Sequence, residues 1–145
     1  MSLDMNKLAV ALENEVNTEI MDLDLNQIAS VKNDVLQQFH LPKEELKILH
    51  KKLKSYRYVD NLGSINYGNY VRWIRLKTIN TEPIKLTNGG IVCDIKINAQ
   101  TNKTYILCKN NMNRLFNLSL EENVIFQKLT PQEEVILSAI NYLNK

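Results

Sequence analysis

Basic and aromatic side chains are interleaved in one stretch of this 145-residue chain, from Lys47 to Lys77. Cations neutralise the phosphates of a nucleic acid while aromatic rings stack on its bases, so the mixture is typical of a segment that binds nucleic acid. The candidate binding residues are Lys51, Lys52, Lys54, Tyr56, Arg57, Tyr58, Arg72, Trp73 and Arg75. In a second interpretation, the three lysines are a solvated helix end, and Tyr70, Trp73 and Ile74 are core residues of a strand.

Charge is sorted along the chain, although the formal net charge is only +2. Residues 1–46 have a net charge of −6, residues 47–77 have +7, and the remainder has +1. A clustered basic surface attracts polyanions even when the whole molecule is nearly neutral. The competing arrangement is intramolecular: the acidic stretch folds over the basic one and leaves no outward basic patch.

No pattern typical of an active site or a metal centre accompanies the basic segment. His40 and His50 are ten residues apart, with no cysteine near them and no nucleophile motif beside either. The Gly89-Gly90 pair precedes a strand-like segment, so it predicts a hairpin turn and not a phosphate-binding loop. We therefore expect a protein that is not an enzyme and that uses no metal and no cofactor.

Cys93 and Cys108 each lie in an apolar, strand-like segment and lack a CxxC partner. We expect both to be small buried side chains in a reducing compartment. The longest apolar runs are far below the roughly 20 residues that span a bilayer, and the acidic N-terminal stretch does not resemble a signal peptide. The expected location is intracellular or in a virion, with no membrane partner.

The first 55 residues are predicted to form a helical arm. The pattern predicts one helix over residues 4–20, a second that is N-capped by Asp24, and a third that begins at Pro42 and ends near Lys54. Each helix has an apolar stripe, and three stripes exceed what a small β-region needs for cover. The arm is thus expected to self-associate or to dock on another protein; packing only on its own β-region is the alternative.

Short strands and turns follow Tyr56, and a final helix is predicted from Pro131, where Thr130 and Glu133 have capping-box spacing. The predicted strands are residues 69–77, 83–86, 91–97, 104–109, 114–120 and 123–129. A meander of this kind avoids exposed edges by curling. The predicted fold class is α+β: a helical arm (1–55), then a small antiparallel β-barrel, Tudor-like or Sm-like, with a capping C-terminal helix (56–145).

Side-chain alternation predicts which strand faces are buried. In the third strand, one face is expected to point inward, and its residues are Ile91, Cys93, Ile95 and Ile97. In the first strand neither face is cleanly apolar, because both faces carry basic residues; one has Tyr70, Arg72, Ile74 and Leu76, and the other has Val71, Trp73, Arg75 and Lys77. Mixed faces of this kind indicate a bulge or a surface that meets a partner.

Four segments resemble a family of small uncharacterised proteins of large, AT-rich DNA viruses. They are SYRYVDNLGSINYGNYVRWIRL, KLTNGGIVCDIKI, ILCKN and NVIFQKLTPQEEVILSAINYL, and the resemblance covers residues 56–143. It implies a viral product that acts on viral nucleic acid or as a virion component, and it assigns no functional residues.

Two functions are therefore expected. The first is a non-enzymatic module, viral in origin, that engages nucleic acid through the basic and aromatic segment. The alternative is a structural or assembly protein, such as a minor virion component, that acts through protein-protein contacts of the N-terminal helices.

Overall fold

The computed structural model describes residues 4–76 and 83–144. In these ranges the fold is α+β, with four α-helices and one six-stranded antiparallel sheet. The helices are α1 (Met5–Glu13), α2 (Leu25–Gln37), α3 (Lys43–Lys52) and α4 (Pro131–Leu143). The strands are β1 (Tyr56–Val59), β2 (Tyr70–Arg75), β3 (Gly90–Ile97), β4 (Thr104–Lys109), β5 (Leu115–Ser119) and β6 (Asn123–Lys128). None of these helices has the length and apolarity to cross a membrane.

The first helix is shorter than predicted, because α1 ends at Glu13 instead of continuing to residue 20. The backbone is extended at Asn14. The Asn14 side chain accepts a hydrogen bond from the N–H of Val16 and caps a 3₁₀ turn that begins there. Asn17 Nδ2 then donates to the carbonyl of Ala11 at 2.8 Å. Asparagine side chains compete for backbone groups in this way, so two short 3₁₀ turns replace the predicted second half of the helix.

The other helices begin where their sequence signals place them. The Asp24 side chain and Gln27 form a capping box at the start of α2, and Thr130 and Glu133 form one at the start of α4. Soon after α2 ends, His40 adopts a positive φ of 53° ahead of Pro42, which separates α2 from α3. Local capping chemistry thus sets these boundaries.

The strand order in the sheet is β1-β6-β2-β3-β4-β5, and every neighbouring pair is antiparallel. The last strand in the sequence, β6, therefore lies between β1 and β2. Strand β1 was not predicted. Residues 83–86 were predicted as a strand, but their pairing with the sheet is limited to a bridge between Leu86 and Ile74.

The sheet is strongly curled. Strands β6 and β5 are four positions apart, or about 19 Å in a flat sheet. The 3₁₀ turn Leu120–Glu122 nevertheless joins them directly, and Asn123 Nδ2 donates to the Ser119 carbonyl at 2.8 Å. Trp73 on β2 and Phe116 on β5 also meet across the concave face, with ring centroids 6.2 Å apart.

The predicted barrel is not confirmed, because the curled sheet remains open. Within the described strands, β1 and β5 are edges that do not pair with each other. Strand β5 approaches β6 at one end, but β6 already has partners on both sides, namely β1 and β2. The backbone groups of β6 are therefore not available to pair with β5 and close the sheet into a barrel.

The curled sheet separates two cores. The first fills the concave face with residues from all six strands and one loop: Val59, Ile65, Val71, Trp73, Val92, Ile106, Cys108, Leu118 and Ile125. The second lies between the opposite face and helices α2 and α3, and it contains Leu36, Leu49, Leu53, Tyr56, Ile74, Leu86 and Phe126. Strand β2 contributes to both cores, which accounts for its mixed faces without a bulge.

A third core joins the N-terminal and C-terminal helices. It contains Ala11, Ile20, Ile28, Leu129, Ile136 and Leu137. Residues from both predicted parts of the chain, 1–55 and 56–145, thus share the second and third cores. The arm packs on its own sheet and on α4.

The predicted inward face of the third strand is wrong in its first half, although Ile95, beyond the bulge, packs against the concave core as predicted. The register of β3 against β4 shifts between Val92 and Asp94, so Cys93 is an extra, bulged residue. Val92 is buried at the start of the strand, whereas Ile91, Cys93 and Ile97 are exposed. Because one inserted residue reverses the alternation, Cys93 is also not the buried thiol that the sequence predicted, while Cys108 is.

The predicted hairpin turn at residues 87–90 is wrong as well. Leu86 pairs with Ile74 and Gly90 pairs with Val71, so the chain runs antiparallel to β2 on both sides of Gly89. Gly89 has a φ of 89° and is a local irregularity in an extended segment. The link between β2 and this segment lies in residues 77–82, outside the described ranges.

Candidate nucleic-acid interface

Three of the nine predicted binding residues belong to the interior. Tyr56, Arg57 and Trp73 have relative exposures of 9%, 5% and 6%. Trp73 lies in the concave core, and Tyr56 lies under α2 and α3. Their rings and the guanidinium are therefore not presented to an external ligand. For Trp73, this agrees with the second interpretation of the sequence, in which it is a core residue of a strand.

Arg57 is neutralised by acids from both ends of the chain. Its Nη1 lies 3.1 Å from Glu19 Oε1, and its Nε lies 4.0 Å from Glu133 Oε2. Nη2 donates to the carbonyl of Ser64 at 3.5 Å, while Nε is buried without a hydrogen bond. Paired in this way, Arg57 ties the arm and α4 to β1 and adds no cation to the surface.

Two of the predicted cations meet in one cleft. Lys52 from α3 and Arg72 from β2 line a cavity of about 380 Å³, together with Lys85 from the segment that follows the undescribed residues. We call this cavity the basic cleft. Ile48 and Ile84 add apolar walls, and Glu45 is the acidic residue in the lining.

Hydrogen bonds to β2 fix the floor of the basic cleft. Arg72 Nε donates to the carbonyl of Thr87 at 2.7 Å, and the Tyr70 hydroxyl donates to the carbonyl of Asn88 at 2.6 Å. Burial raises the pKa of Tyr56, and the positive charge of Arg72 opposes that rise, which indicates that the guanidinium lies close to the phenol. Arg72 is therefore held against the sheet beside two tyrosines.

Exposed lysines surround the end of α3. Lys47 and Lys51 are one helical turn apart, and Lys52 and Lys54 follow. Cations are favoured there because carbonyl groups at a helix C-terminus give it a partial negative charge. Within residues 4–76 and 83–144, no carboxylate forms an ion pair with these four lysines.

The acidic arm leaves this surface uncovered. Among described residues, the ion pair that joins the arm to residues 47–77 is the one between Glu19 and Arg57. Glu44 and Glu45 occupy the first turn of α3 and complement its dipole. The competing intramolecular arrangement is thus seen at Arg57.

The remaining candidates lie outside the lining of the basic cleft. Tyr58 is half-buried and packs against Phe126, with ring centroids 6.1 Å apart. Arg75 is exposed at the end of β2 and already has a partner in the structure. Lys51 and Lys54 are exposed but do not line the cavity.

Lys85 is the cleft residue that sequence analysis missed. It lies beyond residue 77, where the strongly basic stretch of the sequence ends. The bridge from Leu86 to Ile74 brings it back beside β2. Lys85 could have been found from the sequence by pairing the predicted strand 83–86 antiparallel with the strand before it, because such pairing brings residues that are distant in the sequence to one surface.

The described residues contain no group of three or more histidine, cysteine or acidic side chains that could hold a metal ion. Comparisons of the chain with protein-family models, with curated proteins and with solved structures found no match.

Proposed function

We propose that the protein is a non-enzymatic module that binds nucleic acid through the basic cleft and the lysines at the end of α3. The observation that supports this most is the convergence of Lys52, Arg72 and Lys85 on one cavity of about 380 Å³. Three cations with a single carboxylate among them attract a phosphate chain. The resemblance over residues 56–143 adds a viral origin, and an intracellular or virion location, to this proposal.

The chemistry of the cleft suits phosphate oxygens. Arg72 uses Nε to hold the Thr87 carbonyl, and its terminal nitrogens are the donors suited to two phosphate oxygens at once. Lys52 and Lys85 act as mobile point charges on either wall. The half-buried Ile84 adds an apolar wall beside these charges, and less water around them strengthens the attraction.

Binding is expected to depend little on base sequence. Tyr56 and Trp73 are buried, so the stacking that the sequence predicted from them does not contribute. Affinity then comes mainly from released counterions, and its logarithm falls with the logarithm of salt concentration with a slope of about −0.7 per phosphate contacted on a single strand.

Fluorescence anisotropy with labelled oligonucleotides, titrated at several salt concentrations, tests the proposal. Lys52→Glu and Lys85→Glu together should lower affinity by about tenfold or more and flatten the salt slope. Two Lys→Glu changes outside the cleft, at the exposed Lys7 and Lys109, alter net charge equally and should have a smaller effect. Absence of binding at low salt, or equal losses in both double variants, would contradict this function.

A second function, assembly through the N-terminal helices, is favoured by one observation. Met5, Val10, Leu12 and Val16 are between 46% and 67% exposed on or just after α1. Val10 also faces a mainly apolar groove of about 390 Å³ between α1 and α4. As a structural protein or minor virion component, the chain would use this surface to contact another protein or another copy of itself.

Light scattering of Val10→Glu beside wild type tests the assembly function in the case of self-association. Val10 is exposed, so the variant should fold, and its charge should dissociate any oligomer held by α1. An oligomer of unchanged mass in the variant would exclude α1 as the contact.

A further inference from the structure

The two edge strands of the sheet, β1 and β5, differ in how far the rest of the protein covers them. At β1, Lys32 Nζ donates to the carbonyls of Tyr56 and Leu53 at 3.0 and 2.9 Å, and α2 packs against the strand. Residues Leu115 to Asn117 of β5 are exposed, and their segment contains neither lysine nor proline. Natural proteins usually protect an exposed edge with such residues or cover it.

Within the described ranges, Leu115 and Asn117 are the β5 residues whose N–H and carbonyl groups both lack a backbone partner. Asn110 donates its N–H to the carbonyl of Arg114 at 2.9 Å, and bonded pairs then alternate along the hairpin, so Phe116 and Leu118 bond to β4. The backbone groups of Leu115, Asn117 and Ser119 point away from β4. The Ser119 carbonyl already accepts a hydrogen bond from Asn123 Nδ2.

We infer that β5 pairs with β5 of a second copy of this chain, antiparallel and about a two-fold axis at Phe116. In this register, Leu115 lies opposite Asn117 of the second copy, and Asn117 lies opposite Leu115 of the second copy. Each of these pairs exchanges two backbone hydrogen bonds, so the register satisfies the open groups of both copies. The interface is isologous, as expected for a two-fold dimer.

Phe116 supports a second copy as the occupant. It is 38% exposed, with one side against Trp73. On the two-fold axis, Phe116 would face its own equivalent as a non-bonded pair, in which backbones approach to about 4.5 Å and side chains meet closely. Self-pairing therefore buries the exposed part of the ring against another aromatic ring.

Charge also permits self-pairing. The segment from Leu115 to Leu120 has no ionisable side chain, so no like charges face each other within the paired region. Arg114 lies opposite Leu118 of the second copy, which separates the two equivalent arginines by about 14 Å along the strands. This exceeds the screening length of about 8 Å at physiological salt.

Sedimentation equilibrium of wild type and of two variants at Asn117 tests the inference. Asn117→Pro removes an N–H that points away from β4, a position where an edge strand tolerates proline. Asn117→Ala removes the same side chain but keeps the N–H. We expect a concentration-dependent dimer whose dissociation constant rises by about tenfold or more in Asn117→Pro and changes little in Asn117→Ala, with similar thermal unfolding of all three.

Cross-linking gives a readout that does not depend on proline. Phe116→Cys in a background of Cys93→Ser and Cys108→Ala, which removes the cysteine directly opposite residue 116 on β4, should form an intermolecular disulfide on mild oxidation, because Cα atoms of a non-bonded pair lie within disulfide range. Ile97→Cys in the same background is the control, because Ile97 is more exposed than Phe116, at 58% against 38%, but lies on β3. A wild-type monomer at all soluble concentrations, or equal cross-linking of both cysteine variants, would overturn the inference.

Discussion

At the scale of single residues, several polar side chains that resemble site residues instead hold the structure together. Lys32 is 7% exposed, and its ammonium bonds to two carbonyls at the junction of α3 and β1. Burial lowers the pKa of Lys32. Beside it, Nε2 of His50 donates to Asn33 Oδ1 at 3.1 Å. Lys32, His50 and Asn33 thus form hydrogen bonds between α2 and α3 in the interior. The basic surface is formed by exposed lysines instead.

His50 is expected to make stability depend on pH. Burial and, secondarily, the charge of Lys32 lower its pKa from 6.5, so the folded state binds a proton less readily than the unfolded chain. The sign follows from linkage. The free energy of unfolding has its full value, as far as His50 is concerned, above about pH 6.5, and it declines as pH falls from there toward the pKa of His50 in the folded state. Urea unfolding at several pH values should show this decline in wild type.

His50→Gln is the matched variant, because glutamine keeps a donor for Asn33 without titrating. The difference in unfolding free energy between wild type and variant should therefore change below about pH 6.5. Parallel curves from neutral pH to about pH 5 would contradict the assignment.

At the scale of elements, the two bulged segments decide which side chains reach each surface. The extra residue at Cys93 reverses the facing of β3, and the irregularity at Gly89 turns the segment that contains Lys85 alongside β2. Gly89 is buried, and a Cβ built on it would lie 2.1 Å from the carbonyl oxygen of Val71. The basic cleft therefore depends on a glycine that has no polar role of its own.

Gly89→Ala is expected to destabilise the protein by more than the cost of positive φ alone. That cost is about 1–3 kcal/mol for a residue with a side chain, and the clash with Val71 adds to it. Gly68→Ala is the matched control, because Gly68 has a similar φ of 81° and nothing within 4 Å of the added Cβ. Denaturant unfolding of both variants measures the difference, and equal losses would show that the Val71 contact is relieved without cost.

Elements with local signals were predictable from the sequence, and elements that depend on pairing were not. Asp24 and Thr130 cap their helices where the sequence placed the caps, and the bounds of β4 match the prediction. Strand β1 was missed because its four residues show no clear alternation of polar and apolar side chains. Its pairing with β6 is what identifies it as a strand. The bulge at Cys93 was missed for the same reason, since only the register with β4 reveals an inserted residue.

The candidate site was predictable in part. The exposed lysines of α3 follow from charge and helical spacing, which are properties of the sequence. The burial of Trp73 and the pairing of Arg57 with Glu133 arise from tertiary contacts across most of the chain. Composition alone does not distinguish a ring that stacks on a base from a ring that fills a core.

At the scale of the whole molecule, Arg57 joins regions that are distant in sequence. It contacts Glu19 of the N-terminal arm and Glu133 of α4 while it lies within β1. Glu133 is 3% exposed and also accepts the N–H of Thr130 that begins α4. The arm, the sheet and the last helix are therefore expected to unfold together.

Glu133→Ala should test that coupling. The substitution leaves the buried Arg57 with Glu19 alone and removes the acceptor of the Thr130 N–H, so its cost should approach that of breaking a buried ion pair, about 3–5 kcal/mol, whereas exposed pairs contribute about 0.2–1 kcal/mol. Because the Glu19 side chain is 45% exposed, Glu19→Ala should have the smaller effect. Urea unfolding followed by near-ultraviolet and far-ultraviolet signals checks both the size and the cooperativity; a larger loss for Glu19→Ala would contradict this account.

The position of β6 also determines when the protein can fold during translation. Strand β1 ends at Val59, but the strand that pairs with it begins at Asn123 and also completes β2. A nascent chain that has emerged only as far as β5 can form the hairpins of β3, β4 and β5, which involve local contacts. Strand β1 must wait without its partner, and β2 without one of its two partners, until residues 123–128 have left the ribosome. Native pairing of β1 is therefore delayed until β6 has emerged, as expected for a pairing between strands distant in the sequence.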